Sequence, residues 1–286
     1  MRKILVATDF SERSNRALRR AQLLTQEHDV HLTMLHVVDD DRPERLVAAE
    51  AAAARELLDT TIASMFRDVQ CEAKVVPGDP FDGIAKVATA SAVDLIVMGA
   101  HRKQLLRDIF VGTSIERVAR LRVAPVLMVN TEPTDRYQRS LVAVDLSEYS
   151  THALQMARTL GVLPRSQVMV VHAFEVLAKG KMSYASVSPD TIAQHIAEIA
   201  NDSKSALLGF LDALDGEREQ YVTRVKEGRP ADVIIDIANE EQADVVVMGA
   251  HGRTGILKML LGSVTEEIMQ RLDRDILVVP PARRDV

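Results

Sequence analysis

Cysteine is nearly absent from this 286-residue chain. Cys71 stands alone, so no intrachain disulfide can form. Tryptophan is missing and aromatic residues make up 3%. Basic residues do not dominate either: 35 Lys and Arg face 41 Asp and Glu, for a formal net charge of −6. That balance argues against a nucleic-acid surface, whose footprint is usually basic. No apolar run approaches the ~20 residues needed to span a bilayer. The opening MRKILVATDF enters a strand pattern directly, without the longer apolar core and small-residue cleavage site of a secretory leader. No G-x4-G-K-[ST] segment occurs, which excludes P-loop chemistry. These absences imply a cytoplasmic protein with neither membrane nor nucleic-acid partner. Apolar residues still reach 47%, ample for a core, and the length suits two domains better than one.

What is present centres on MGAHGRTGILKMLLGSVTE, Met248 to Glu266. It follows Ala243-Asp-Val-Val-Val-Met248, an apolar run that reads as a buried parallel strand. It leads into an amphipathic stretch, Val264 to Leu272, with Ser263 placed as an N-cap. Gly249, Gly252 and Gly262 let backbone N–H groups approach a ligand with no Cβ in the way. A helix start adds unsatisfied N–H groups and a positive dipole end. Three glycines and a serine between strand and helix thus predict an anion site, beyond what turn-making alone requires.

The chain is also a repeat. Asp9, Ser11, Ser14, Ala17, Leu18, Ala21 and His36 recur 136 residues later as Asp145, Ser147, Ser150, Ala153, Leu154, Ala157 and His172. Gly78, Pro80, Met98-Gly99-Ala100-His101 and Gly112-Thr113 recur 150 residues later as Gly228, Pro230, Met248-Gly249-Ala250-His251 and Gly262-Ser263. The second copy therefore carries 14 extra residues between His172 and Gly228. We expect two tandem domains, 1–130 and 139–286, joined by a polar, proline-containing linker, 131–138.

Each copy alternates strand and helix patterns, which implies a parallel sheet covered by helices on both faces, Rossmann-like. Ligands of such sheets bind beyond the carboxyl ends of the strands, where strand order reverses. If strands 1 and 4 meet there, Asp145 and Gly249 face one crevice.

Gly249-x2-Gly252-x9-Gly262-Ser263, the VAVD ending at Asp145 and the repeated Ser-x-x-Ser-x-x-Ala-Leu-x-x-Ala resemble the universal stress protein family over nearly the whole chain. The resemblance implies an α/β fold of two tandem open parallel five-stranded sheets, order 3-2-1-4-5. It also implies ATP binding, with Mg2+, by a stress-response protein. Carried onto this sequence, Asp145 would lie by the ribose and phosphates, with the divalent cation near it. Ala173 would offer backbone to the adenine, and Met248 and Gly249 would flank ribose and phosphates. Gly252, Gly262, Ser263 and Val264 would bind phosphate, and Arg253 is placed to reach a terminal phosphate.

The first copy departs from the motif. Its corresponding site is Asp9, Val37, Gly99, Arg102, Gly112 and Thr113, and Arg102 replaces the middle glycine. A side chain there fills the space in which phosphate approaches backbone, so the first copy is expected to bind ATP weakly or not at all. A rival reading is that Arg102 and Lys103 hold a different anion. In the second copy, Asp275 stands where the first has Pro125. Members of the family pair their last strands between domains, and Asp275 is expected at a strand edge compatible with an intramolecular pseudo-dimer through Val126–Val129 and Ile276–Val279. A homodimer of chains is a further possibility. The expected role is an ATP-dependent conformational or partner switch toward an unknown protein partner. The alternatives are a slow ATPase or nucleotide-transfer enzyme, and a nucleotide-free scaffold.

Overall fold

The computed structural model describes residues 2–26, 29–100, 114–164, 168–176, 187–214, 220–252 and 261–282. The first copy runs β1 (Arg2–Ala7), α1 (Glu12–Thr25), β2 (Val30–Val38), α2 (Glu44–Met65), β3 (Gln70–Pro77), α3 (Pro80–Ala90), β4 (Leu95–Gly99), α4 (Ser114–Leu121) and β5 (Val126–Val129). The second runs β6 (Ser140–Ala143), α5 (Glu148–Thr159), β7 (Val168–Phe174), α6 (Pro189–Asp212), β8 (Tyr221–Glu227), α7 (Pro230–Glu240), β9 (Val245–Gly249), α8 (Ser263–Arg271) and β10 (Asp275–Val279).

The local reasons for these elements repeat with the sequence. Ser11 caps α1 by accepting from the Ser14 amide, and Ser147 caps α5 by accepting from the Ser150 amide. Ala17, Leu18, Ala21 and Leu24 bury one face of α1, as Ala153, Leu154 and Ala157 do on α5. Pro80 and Pro230 occupy the first turns of α3 and α7, where a missing N–H costs nothing.

Each copy forms five parallel strands in the expected order, and the two join edge to edge. The result is one ten-stranded sheet, β3-β2-β1-β4-β5-β10-β9-β6-β7-β8. The junction is antiparallel, with Leu127 opposite Leu277, Val126 opposite Val278 and Met128 opposite Ile276. Leu127 and Leu277 are equivalent repeat positions, so a local two-fold passes between them. The helices obey it as well. Arg120 of α4 meets Glu266 of α8 at 3.1 Å, and Gln270 of α8 donates to Glu116 of α4 at 3.4 Å. Apolar residues of both copies share a core on each face: Val6, Leu127, Val142 and Leu277 on one, Leu5, Val126, Leu141 and Val278 on the other.

Asp275 begins β10, whose pairing with β5 survives as expected, and it is fully buried. Its Oδ1 accepts from the amides of Asn130 and Thr131 and the Thr131 hydroxyl, and its Oδ2 accepts from the Tyr137 hydroxyl at 2.6 Å. Arg20 of α1 lies 3.4 Å from Oδ2 and stacks on the Tyr137 ring. The stretch after β5 folds back across the junction and brings donors that satisfy the carboxylate, as burial of a charge requires. Burial and the Asp275 charge together push the Tyr137 phenol well above its usual pKa.

Removing this carboxylate strands Arg20 in the interior. Asp275→Ala is expected to lose about 3–5 kcal/mol of stability and Tyr137→Phe about 1–2 kcal/mol, read from urea denaturation. Because the phenol's folded pKa is raised, its contribution is complete below the ordinary phenol value, roughly 10, and is lost as pH rises through the folded value. That alkaline decline should flatten in Tyr137→Phe.

Candidate functional site

The crevice of the second copy opens at the carboxyl ends of β6 and β9, where strand order reverses. It is lined by Asp145, Ala173, Met248, Gly249, Gly252, Gly262, Ser263 and Val264, so the structure brings together every second-copy residue singled out from sequence except Arg253. Arg253 lies outside the described residues. The crevice is open to solvent, and its empty space, part of it continuous with bulk water, is about 720 Å³.

Asp145 is rigidly held. Its Oδ1 accepts from the Ser147 amide at 3.1 Å, the Ser147 hydroxyl at 2.5 Å and the Ser150 hydroxyl at 2.6 Å. Leu146, which follows it, has a left-handed backbone, φ 63°, and so does its counterpart Phe10, φ 60°. This strained turn swings each chain from strand into capped helix. The other oxygen, Oδ2, faces Gly252: a Cβ on that glycine would lie 2.8 Å from it. Only glycine lets the loop close against a carboxylate that three donors hold in place.

The helix start is pinned from the strand side. Gly262 donates its amide to Ala250 O at 2.8 Å, Ala250 donates to Val279 O, and the Thr265 hydroxyl donates to Gly249 O at 3.0 Å. This corrects the expected capping. Gly262, not Ser263, is the N-cap, because its bond to Ala250 holds it extended, with φ −62° and ψ 142°. Ser263 becomes the first helical residue. Gly262 has no side chain with which to cap α8, so the first turn presents backbone donors and the Ser263 hydroxyl beside the crevice.

The serines at 147 and 150 and Thr265 were not assigned roles from sequence. The serines carried a signal in their fixed spacing after each aspartate. Thr265 carried one too, since its first-copy counterpart is Ile115.

The first copy has a crevice of similar size, about 780 Å³, lined by Asp9, Val37 and Gly99. Arg102, Gly112 and Thr113 lie outside the described residues. Burial would push the Asp9 carboxyl up, but hydrogen bonds from Ser11, with Ser14 beside it, hold it below the usual carboxylate range. The walls differ in kind. Arg13 and Ile115 stand where the second copy has Tyr149 and Thr265, so position 115 has no hydroxyl to bond the end of β4 as Thr265 bonds that of β9. Among the described residues, no group of three or more His, Cys, Asp or Glu could hold a metal ion in either copy. No helix among them is long and apolar enough to cross a membrane.

A doubly wound sheet with an open crevice at its switch point, where Gly249 ends β9 and Gly262 precedes α8, defines the class: an α/β protein of the kind that takes its ligands beyond the carboxyl ends of the strands. The sequence model of the universal stress protein family matches residues 1–130 and again 136–280, and the chain belongs to that family. It is 30% identical to universal stress protein E of Escherichia coli K12 over 224 residues, 74% of this chain and 69% of that one. It is 28% identical to universal stress protein MJ0577 of Methanocaldococcus jannaschii over 153 residues, 50% of this chain and 94% of the relative. Among solved structures, a putative universal stress protein from Pseudomonas aeruginosa UCBPP-PA14 superposes with a TM-score of 0.68 at 21% identity, covering 98% of this chain and 94% of that one. That likeness bears on the fold.

The glycines are not equally constrained. A Cβ on Gly99 would lie 2.2 Å from Arg13 O, whereas on Gly249 it would meet His251 O at 3.1 Å. Backbone cannot yield as a side chain can, so Gly99→Ala should cost at least the ~1–3 kcal/mol typical of overpacking. Gly249→Ala should cost clearly less. Thermal unfolding of the two variants checks the order.

Proposed function

We propose that the second copy holds ATP in its crevice with a divalent cation on the phosphates, and that occupancy acts as a conformational or partner switch. One observation carries the reading: Gly252 is closed against the fixed carboxylate of Asp145 while the uncapped start of α8 faces the same space. Backbone donors of Gly252, Ser263 and Val264 suit phosphate oxygens. The Ser263 hydroxyl adds a donor, and Asp145 suits ribose hydroxyls or the cation. The backbone of Ala173 at the end of β7 suits the adenine edge, with Met248 beneath the sugar. Arg253 completes the set on the terminal phosphate.

This assignment is a binding function rather than catalysis. Among the described residues Asp145 is the carboxylate lining the crevice, and three donors already use one of its oxygens, which suits a ligand holder better than a general base. In the same reading the two domains, 1–130 and 139–286, have diverged. The first has lost the glycine at Arg102 and the pinning hydroxyl at Ile115, and serves as a structural or partner-binding half.

Calorimetric titration of nucleotide-stripped protein with Mg-ATP should show one site per chain, lost in Gly252→Arg. Steady-state phosphate release should stay below about 1 s⁻¹, near the lower end of ordinary enzymes. Two sites per chain would restore the first crevice as a nucleotide site, and no binding would end the ATP reading.

A further inference from the structure

Among the described residues other than glycine, left-handed backbone comes mostly in pairs. Phe10 is matched by Leu146 and Ala92 by Gln242, each at the equivalent repeat position. Arg122 breaks the pattern. It has φ 56°, while its counterpart Leu272 is extended, with φ −88° and ψ 131°. A left-handed arginine just past the end of α4 is a strained choice where glycine or asparagine is usual.

The strain accompanies a contact across the two-fold. The Arg122 guanidinium of the first copy lies with Nη2 2.5 Å from Nε2 of His251 in the second. Arginine can only donate, so His251 Nε2 is the acceptor in this contact. His251 is 8% exposed and lines the second crevice, whereas Arg122 does not line it. The histidine is central to the loop. Its carbonyl oxygen would lie 3.1 Å from a Cβ on Gly249, and its Cα 3.6 Å from one on Gly262. The residue after it is Gly252, against Asp145. Fixing the imidazole therefore fixes the backbone on which the glycine loop is built. The reciprocal contact cannot form, because Leu272 has no donor.

We infer that Arg122 is a positioning residue: the first copy reaches across the junction and holds His251, and with it the backbone of Ala250 and Gly252, in place for ligand binding. This rests on the ATP reading for its effect on affinity, but not for its effect on the loop. The first copy is thus a working part of the second copy's site without touching the ligand.

The test uses the full chain with Arg122→Gly and Arg122→Lys. Glycine accepts the left-handed backbone and keeps the amide bond to Ala119 O, so any fall in melting temperature reports the lost side-chain contact and not backbone strain. Mg-ATP affinity should weaken about tenfold in Arg122→Gly, the scale of one lost hydrogen bond to a charged group. Arg122→Lys should recover part of it. Independently of nucleotide, exchange of the Ala250 and Gly262 amides, and the ¹⁵N shift that marks His251 Nε2 as an acceptor, should change in Arg122→Gly. Wild-type binding with equal affinity in Arg122→Gly overturns the inference and leaves the ATP reading intact. Absence of wild-type binding ends the ATP reading, and the amide and imidazole signals then decide the inference: unchanged signals overturn it.

Discussion

Everything in this molecule depends on the antiparallel pairing of β5 with β10. Each copy ends its sheet in a short strand that is wholly buried: Val126–Val129 on one side, Asp275–Val279 on the other. Left open, such apolar edges would present unpaired N–H and C=O groups to any other chain. Paired with each other they disappear, and the two cores become continuous on both faces of one sheet. Because the partners are equivalent repeat positions, the pairing imposes a two-fold, and that two-fold brings α4 against α8. An isologous contact of this kind normally repeats each interaction twice. Within one chain it need not, since the two sides of the axis mutate separately.

The polar contacts at the junction use that freedom. Arg120 with Glu266 is an ion pair, and its mirror, Gln270 with Glu116, is a neutral donor with a carboxylate. Asp275 occupies one side, while Pro125 occupies the other. Arg20, which meets Asp275, corresponds to Met156. A buried carboxylate is tolerable only with a full set of donors, and the chain connecting the two copies supplies four of them from Asn130, Thr131 and Tyr137. Two separate chains would have no such segment crossing the junction. The asymmetry of the network therefore follows from covalent linkage.

The fold was largely legible because its signals are local and stated twice. Serine caps, first-turn prolines and apolar strands recur at fixed offsets, and each copy took the strand order the family resemblance implied. The second crevice was legible for the same reason: its residues end strands or begin a helix, where glycine and aspartate have few other uses. What stayed hidden depends on contacts distant in sequence. Asp275 looked like an edge residue because nothing near it reveals that Tyr137, 138 positions earlier, returns to meet it. Ser263 looked like a cap because serine usually is one. The bond that makes Gly262 the cap comes from Ala250, across the loop. Arg122 gave no sign beyond its mismatch with Leu272. Comparing the copies finds what they share, while the contact between Arg122 and His251 lies in what they do not.

That difference bears on why a copy with a broken glycine motif persists beside an intact one. A domain that had lost its ligand and gained nothing would be free to drift. The first copy is instead constrained at three places that serve the second: β5, which closes the sheet edge; Arg20, which meets the buried carboxylate; and Arg122, which bonds His251 at the crevice wall. None of these requires the first crevice to be occupied.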